Sequence, residues 1–253
     1  MQTRNLKYLP IIGFLLNICA CSTPPPPVKV DVQERILHDN RLGLQLAQKL
    51  EPQLVMKVDV EVAVYLRTLA QKLSENSVEL KSSPVGVLLV ANGKKKWMSF
   101  SLPGNRIYLS LGLLKKLEFE HEVAAIMAIE LAHILRRTPL ERLEGPTYVQ
   151  KPVEMESLRF FGPDGIFSYS DQAEFEAVKV AAELLYKAGF DSRGLVGVWE
   201  VLRSHLDKSP YGADMLDKLL EKSREAIALY TPLRNPIVKR DVFISIRKRI
   251  KRL

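Results

Sequence analysis

Cysteine is almost absent from this chain of 253 residues: there are two, Cys19 and Cys21, both near the N-terminus. The rest of the chain therefore has no disulfide and no cysteine that could act as a nucleophile or a metal ligand. Histidine is also scarce, with four residues, so a metal site has few imidazoles to draw on. The apolar residues 9–18 fall well short of the roughly 20 residues that a membrane-spanning helix needs.

The N-terminal residues have the pattern of an export signal. Arg4 and Lys7 precede the apolar segment 9–18, which is the order found in secretory signal peptides. Residues 18–22, Ile-Cys-Ala-Cys-Ser, resemble a bacterial lipobox, which predicts cleavage before Cys21 and acylation of that cysteine. A plain signal peptide and an uncleaved anchor are the alternatives.

This pattern predicts three regions: a lipoprotein signal peptide at 1–20, a lipidated Cys21 with a proline-rich spacer at 21–31, and a globular domain at 32–253. Ser22 after the cysteine, rather than aspartate, favours a periplasm-facing lipoprotein of the bacterial outer membrane over the inner membrane. The expected partners are the membrane, through acylated Cys21, and an envelope protein client. The net charge of +8 is partly concentrated at the C-terminus. The basic C-terminal segment is either a solvated helix face or a contact for anionic lipid or an acidic partner. A periplasmic location argues against nucleic acid as a partner.

Hydrophobic spacing predicts a mostly helical α+β domain. Helices are expected over residues 32–50, 58–73, 111–116, 122–137, 172–187, 193–205, 213–230 and from about 236, with strands at 85–90 and 106–110. Residues 143–171 are rich in glycine and proline, which predicts a long irregular connection, and its aromatic residues indicate a packed flap.

The chemistry of the chain centres on residues 129–133, Ile-Glu-Leu-Ala-His, inside an apolar run. A His-Glu-x-x-His helix puts two metal-binding imidazoles on one face, with the glutamate as general base. Here Glu130 holds the base position and His133 the second ligand position, but Ile129 stands at the first ligand position and cannot bind metal. The ordinary alternative is that Glu130 and His133 form a satisfied polar pair in the core.

Several segments, in order, resemble the zinc metallopeptidase family of HtpX and the CAAX-prenyl endopeptidases, peptidase family M48. Residues 99–104 with Ile107-Tyr108-Leu109 are similar to its Asn-Ala-Phe-x-Leu-Pro-Gly-Gly, x-Ile-x-Val segment. Residues 174–178, Glu-Phe-Glu-Ala-Val, resemble its Glu-x-Glu-Ala-Asp motif. The resemblance implies a zincin-like fold with a small antiparallel sheet beside the active-site helix. It also implies Glu174 as third zinc ligand and a substrate groove along Ile107, Tyr108 and Leu109.

The positions at which this chain departs from the family pattern are those of the metal ligand and of other polar motif residues. Ile129 replaces a histidine ligand, Val178 the motif aspartate, Met98 an asparagine and Asn235 a histidine before proline. We therefore interpret Glu130 as a vestigial general base and His133 and Glu174 as vestigial ligands that hydrogen-bond each other. No cofactor is expected, or zinc if the site is functional.

Three functions follow from this reading. The leading one is a lipid-anchored pseudoprotease that binds peptides or proteins without zinc or catalysis. The alternative is an active zinc metalloendopeptidase with an unusual third ligand. A structural lipoprotein whose groove has filled in is the third.

Overall fold

A computed structural model of the chain describes residues 31–91, 96–144 and 153–253, without the side chains of Arg142 and Glu144. The predicted signal peptide, lipobox and most of the spacer, with Cys21, lie outside the described residues, so their assignments remain predictions. Within the described ranges no helix is long and apolar enough to cross a membrane.

The described chain is mostly helical. The helices are α1 Val32–Leu50, α2 Val60–Ser74, α3 Val78–Lys81, α4 Leu111–Leu114, α5 Glu120–Leu135, α6 Thr138–Glu144, α7 Asp171–Lys187, α8 Gly194–Arg203, α9 Ala213–Ala228 and α10 Asp241–Arg252. The strands are β1 Met56–Lys57, β2 Gly86–Val90, β3 Phe100–Leu102 and β4 Arg106–Ser110. The predicted α+β class is confirmed, and the last helix begins several residues later than expected.

The small sheet is mixed, so the expectation of a purely antiparallel sheet was wrong. Its strand order is β1-β2-β4-β3, with β2 and β4 parallel and the other two pairs antiparallel. The tight turn after β3, where Gly104 and Asn105 both adopt positive φ, 74° and 58°, makes β3 and β4 antiparallel neighbours. The sheet is mixed because β4, rather than β3, lies next to β2. A Cβ on Gly104 would lie 2.9 Å from the Cα of Asn40, so this turn requires glycine.

The predicted substrate groove at Ile107, Tyr108 and Leu109 was also wrong. These residues form the middle of β4, which is paired on both sides, and all three are fully buried. Strand order depends on long-range pairing, which a local apolar pattern does not encode. The edge strand on this side is β3, and Phe100 within it is covered by the rings of Phe161 and Phe167.

The aromatic flap predicted over residues 143–171 packs as expected where it is described. Residues 153–170 contain no helix or strand, yet Phe160, Ile166 and Phe167 are buried in a second hydrophobic cluster with α1 and β3. The flap therefore closes over the sheet edge.

Helix α5 is the centre of the main core. Every residue from Val123 to His133 is buried, because α2, α7 and α8 pack on it and β3 and β4 lie against it. Its start is fixed by Glu122, whose Oε2 accepts hydrogen bonds from the backbone N–H groups of Glu118 (2.7 Å) and Phe119 (2.9 Å). A helix held on all sides places the side chains of its last turns in fixed directions.

An ion pair between the buried Glu120 and the exposed Arg240 ties the C-terminal segment to the first turn of α5. Glu120 is fully buried and accepts hydrogen bonds from the Tyr65 hydroxyl (2.6 Å), the Arg240 backbone N–H (2.8 Å) and the Arg240 guanidinium. Burial alone would raise the pKa of Glu120, but Arg240 and Tyr65 outweigh it and hold that pKa below its usual value.

Removing this guanidinium should destabilise the protein. We expect Arg240→Met to lower the free energy of unfolding by about 2 kcal/mol, because a buried carboxylate then loses its charged partner. Urea unfolding followed by circular dichroism measures the change. The matched control is Arg252→Met at an exposed position of α10, and equal midpoints for the two variants would contradict the structural role of Arg240.

Candidate functional site

The residues of the damaged motif meet α7 near the flap. His133 on α5 and Glu174 in the first turn of α7 are both buried, with His133 Nε2 3.4 Å from Glu174 Oε2. This distance is within ion-pair range, but Glu174 Oε2 lacks a partner with hydrogen-bond geometry. The structure thus brings the two side chains together as expected, through a longer contact than the predicted hydrogen bond.

Two tyrosines complete the surroundings of this pair. The Tyr211 hydroxyl, from the loop before α9, donates a hydrogen bond to Glu174 Oε1 (3.0 Å). Tyr169, from the flap, places its ring 4.4 Å from that of His133. Burial, together with the nearby Glu130 and Glu174 carboxylates, raises the pKa of both hydroxyls well above the usual value. Sequence reasoning missed Tyr211, because a single tyrosine in a loop carries no motif.

Glu130 lies beside this pair, and one of its two carboxylate oxygens, Oε2, has no hydrogen-bond partner among the described residues. Glu130 is 4% exposed. Ser101 on β3 donates to the backbone carbonyl of Glu130 (3.1 Å). Burial raises the pKa of Glu130 to about 7, partly offset by His133. Glu130 is therefore an acid that changes charge near neutral pH.

His133 also favours its protonated form. Burial is the largest influence and lowers the pKa of His133, but the contact with Glu174 and the charge of Glu130 outweigh it. The net direction is upward, so His133 pairs with Glu174 as an imidazolium over a wider pH range than an isolated histidine.

The positions that depart from the family pattern lie in different environments. Ile129 and Val178 are buried in the main core and do not line the cleft described below. Met98 is partly buried and does line it. Asn235 is exposed and is not among the residues that line the cleft.

A cleft of about 900 Å³ opens above these residues. Glu130, His133, Tyr169 and Glu174 form its floor. The walls are mostly apolar and come from the β1 region, the segment before β3, the flap and the loop before α9: Leu54, Val55, Val90, Met98, Phe100, Phe161, Phe167, Pro210 and Met215. A cavity of this size, with apolar walls and few polar groups at one end, has the character of a ligand-binding site.

The residues present do not form the ligand set of a catalytic zinc ion. Such a site takes three protein ligands and leaves one position open, whereas Ile129 offers no donor atom. His133 is the one histidine among the described residues that line the cleft. Across the described ranges no cluster of three or more histidine, cysteine, aspartate or glutamate residues could hold a metal ion.

Comparison with protein families gives a match over most of the described domain. The model of Peptidase family M48 matches residues 62–231, which is more than half of the chain and includes β2 to β4, α5 and α7. A search of the curated proteins finds none that matches this chain.

Proposed function

Since this chain belongs to peptidase family M48 and has isoleucine at a metal-ligand position, we propose that it is a protease-like module that binds polypeptides without cutting them. In this proposal zinc and catalysis have been lost, and Glu130, His133 and Glu174 remain as the floor of a binding cleft. The one observation that carries the proposal is that an open cleft of about 900 Å³ lies directly over an incomplete ligand set.

The state of the motif residues supports the loss of zinc. A hydrolytic site of this kind needs a metal that polarises the carbonyl and activates water. His133 points its Nε2 at Glu174 instead, and the position of the missing imidazole is filled by Ile129 in the apolar core. Chemistry that depends on the metal has no complete ligand set to use.

The open cleft favours a binding role over a purely structural one. A groove that had lost all function would be free to fill with larger side chains, since packing an apolar cavity stabilises a fold. Ile129 and Val178 are buried in the main core and do not fill the cleft. The exposed wall residue Phe161 is the kind of side chain that binding surfaces use.

Metal content and proteolysis test the loss of activity. We expect purified protein to contain far less than one zinc per chain by elemental analysis, and to leave casein uncut with or without chelator. Chelator-treated samples distinguish true metal dependence from a contaminating protease. Stoichiometric zinc together with chelator-sensitive cleavage would establish the alternative function, an active metalloendopeptidase with an unusual third ligand.

We further propose that the module is held at the periplasmic face of the outer membrane by acylated Cys21, where it would meet an envelope protein client. The support is the lipobox pattern of residues 18–22. Cys21→Ser should move the protein from the membrane fraction to the soluble one, or leave an uncleaved precursor of lower mobility, because acyl chains supply the stable anchor. Ser22→Ala is the control and should fractionate as the native protein does. Unchanged fractionation and mobility of Cys21→Ser would refute lipidation.

A further inference from the structure

The floor of the cleft contains an unusual concentration of polar atoms without partners. Six buried side-chain atoms among the described residues have no hydrogen-bond partner, and four of them belong to residues of this floor. These four are Glu130 Oε2, His133 Nδ1, Tyr169 Oη and Glu174 Oε2. Glu130, His133 and Glu174 are each less than 6% exposed. Buried polar groups are almost always hydrogen-bonded in folded proteins, so this group points to a ligand.

The unpartnered atoms define what the ligand must offer. Carboxylate oxygens only accept hydrogen bonds, and a tyrosine hydroxyl can accept as well as donate. Glu130, Glu174 and Tyr169 therefore present three acceptors. A primary ammonium group carries three N–H donors and no acceptor, which matches these three acceptors in number and in kind. It makes no use of the fourth atom, His133 Nδ1.

The charges that line the cleft favour a cation over a neutral donor. The lining contains three carboxylates, Glu130, Asp171 and Glu174, against two basic side chains, Lys96 and His133, and Asp171 also pairs with Lys218 (3.2 Å). Lys96 is exposed at the rim and donates a hydrogen bond to the carbonyl of Leu206 (3.2 Å). Hydrogen bonds between an ammonium and a carboxylate are about twice as strong as those between neutral groups.

We propose that this cleft binds a primary ammonium group of a polypeptide, a lysine side chain or a free N-terminus, on the floor formed by Glu130, Glu174 and Tyr169. The inference rests on the proposed binding function and names its ligand. The ammonium occupies the region where family members that keep all three ligands would hold a metal cation. Met98, Phe100 and Phe167 give the cleft apolar walls that suit the methylene stem of a lysine.

A pair of small probes tests the ammonium site without assuming that peptides bind. Hexylammonium and hexanol share one apolar chain and differ in the charged group. At pH 8, titration followed by NMR should give hexylammonium a dissociation constant at least about tenfold lower than that of hexanol. Glu130→Gln and Glu174→Gln should each remove most of this preference, and the exposed Glu200→Gln should keep it. Equal affinity for both probes would overturn the proposal, and native protein alone suffices for that result if a variant fails to fold.

Three peptides then identify the source of the ammonium. The first is acetylated, amidated and apolar with one central lysine, the second has norleucine in place of lysine, and the third has no lysine but a free N-terminus. Tighter binding of the first indicates a lysine side chain, and tighter binding of the third an N-terminus. Equal binding of the first two with no preference for hexylammonium would reject the ammonium site and leave the peptide-binding function intact. A preference for hexylammonium without binding of any peptide would support the ammonium site and reject the peptide-binding function.

Discussion

The free energy of unfolding of Glu130→Gln, minus that of native protein, should increase by about 2–3 kcal/mol between pH 5 and pH 8. The reason is the burial of Glu130, which raises its pKa from 4.5 to about 7. Between these values the folded native protein binds a proton that the unfolded chain releases. Stability contributed by the protonated side chain is therefore present below about pH 4.5 and is lost as the pH rises towards 7. Glutamine is neutral at every pH and does not carry this penalty.

The measurement is urea unfolding of native and variant protein at several pH values, with the difference in unfolding free energy plotted against pH. Native protein should also lose stability over this range through His133, whose pKa is raised in the folded state, so the two groups act in the same direction. Glu200→Gln removes an exposed carboxylate and should show a difference that is flat with pH. A flat difference for Glu130→Gln as well would mean that Glu130 is solvated in the folded protein.

The fold was predictable where local patterns determine it. Helix α1 has the predicted bounds, because Asp31 caps its first turn by accepting from the backbone N–H of Gln33. Strand β4 also has its predicted bounds. Strands β1 and β3 were missed, since they are two and three residues long and exist through their pairing rather than through a pattern of their own. The parallel pairing of β2 with β4, which makes β4 an internal strand, is likewise a long-range property.

The candidate site was likewise predictable only where local sequence spacing determines which side chains meet. Glu130 and His133 lie within one turn of a helix, so their proximity follows from helical geometry. The meeting of His133 with Glu174 came from the family resemblance and not from spacing. Tyr211 reaches Glu174 from a distant loop, where its ring also packs against Trp199 on α8. Residues that reach a site from separate elements have no local sequence pattern that identifies them.

Ile129→His should create measurable zinc affinity, with a dissociation constant lower than that of the native protein by about two orders of magnitude or more. Ile129 lies one helical turn before His133 on buried helix α5, and residues at i and i+4 share a helix face. An imidazole there would join His133 Nε2 and the Glu174 carboxylate, which already lie 3.4 Å apart. Hydrolysis is expected to stay weak, because Val178 replaces an aspartate of the family motif, and groups that orient ligands affect metal sites strongly.

Isothermal titration of metal-free protein with zinc measures this effect, and circular dichroism checks that the variant folds despite a new polar group in the core. Ile129→Asn is the matched control, since it also places a polar side chain at a buried position but supplies no imidazole. The asparagine variant should bind zinc no better than native protein. If a folded Ile129→His protein bound no zinc, residue 129 would not face Glu174 as the helix geometry requires. If native protein bound zinc as tightly as the histidine variant, the ligand set was never broken and the alternative function would replace the proposed one.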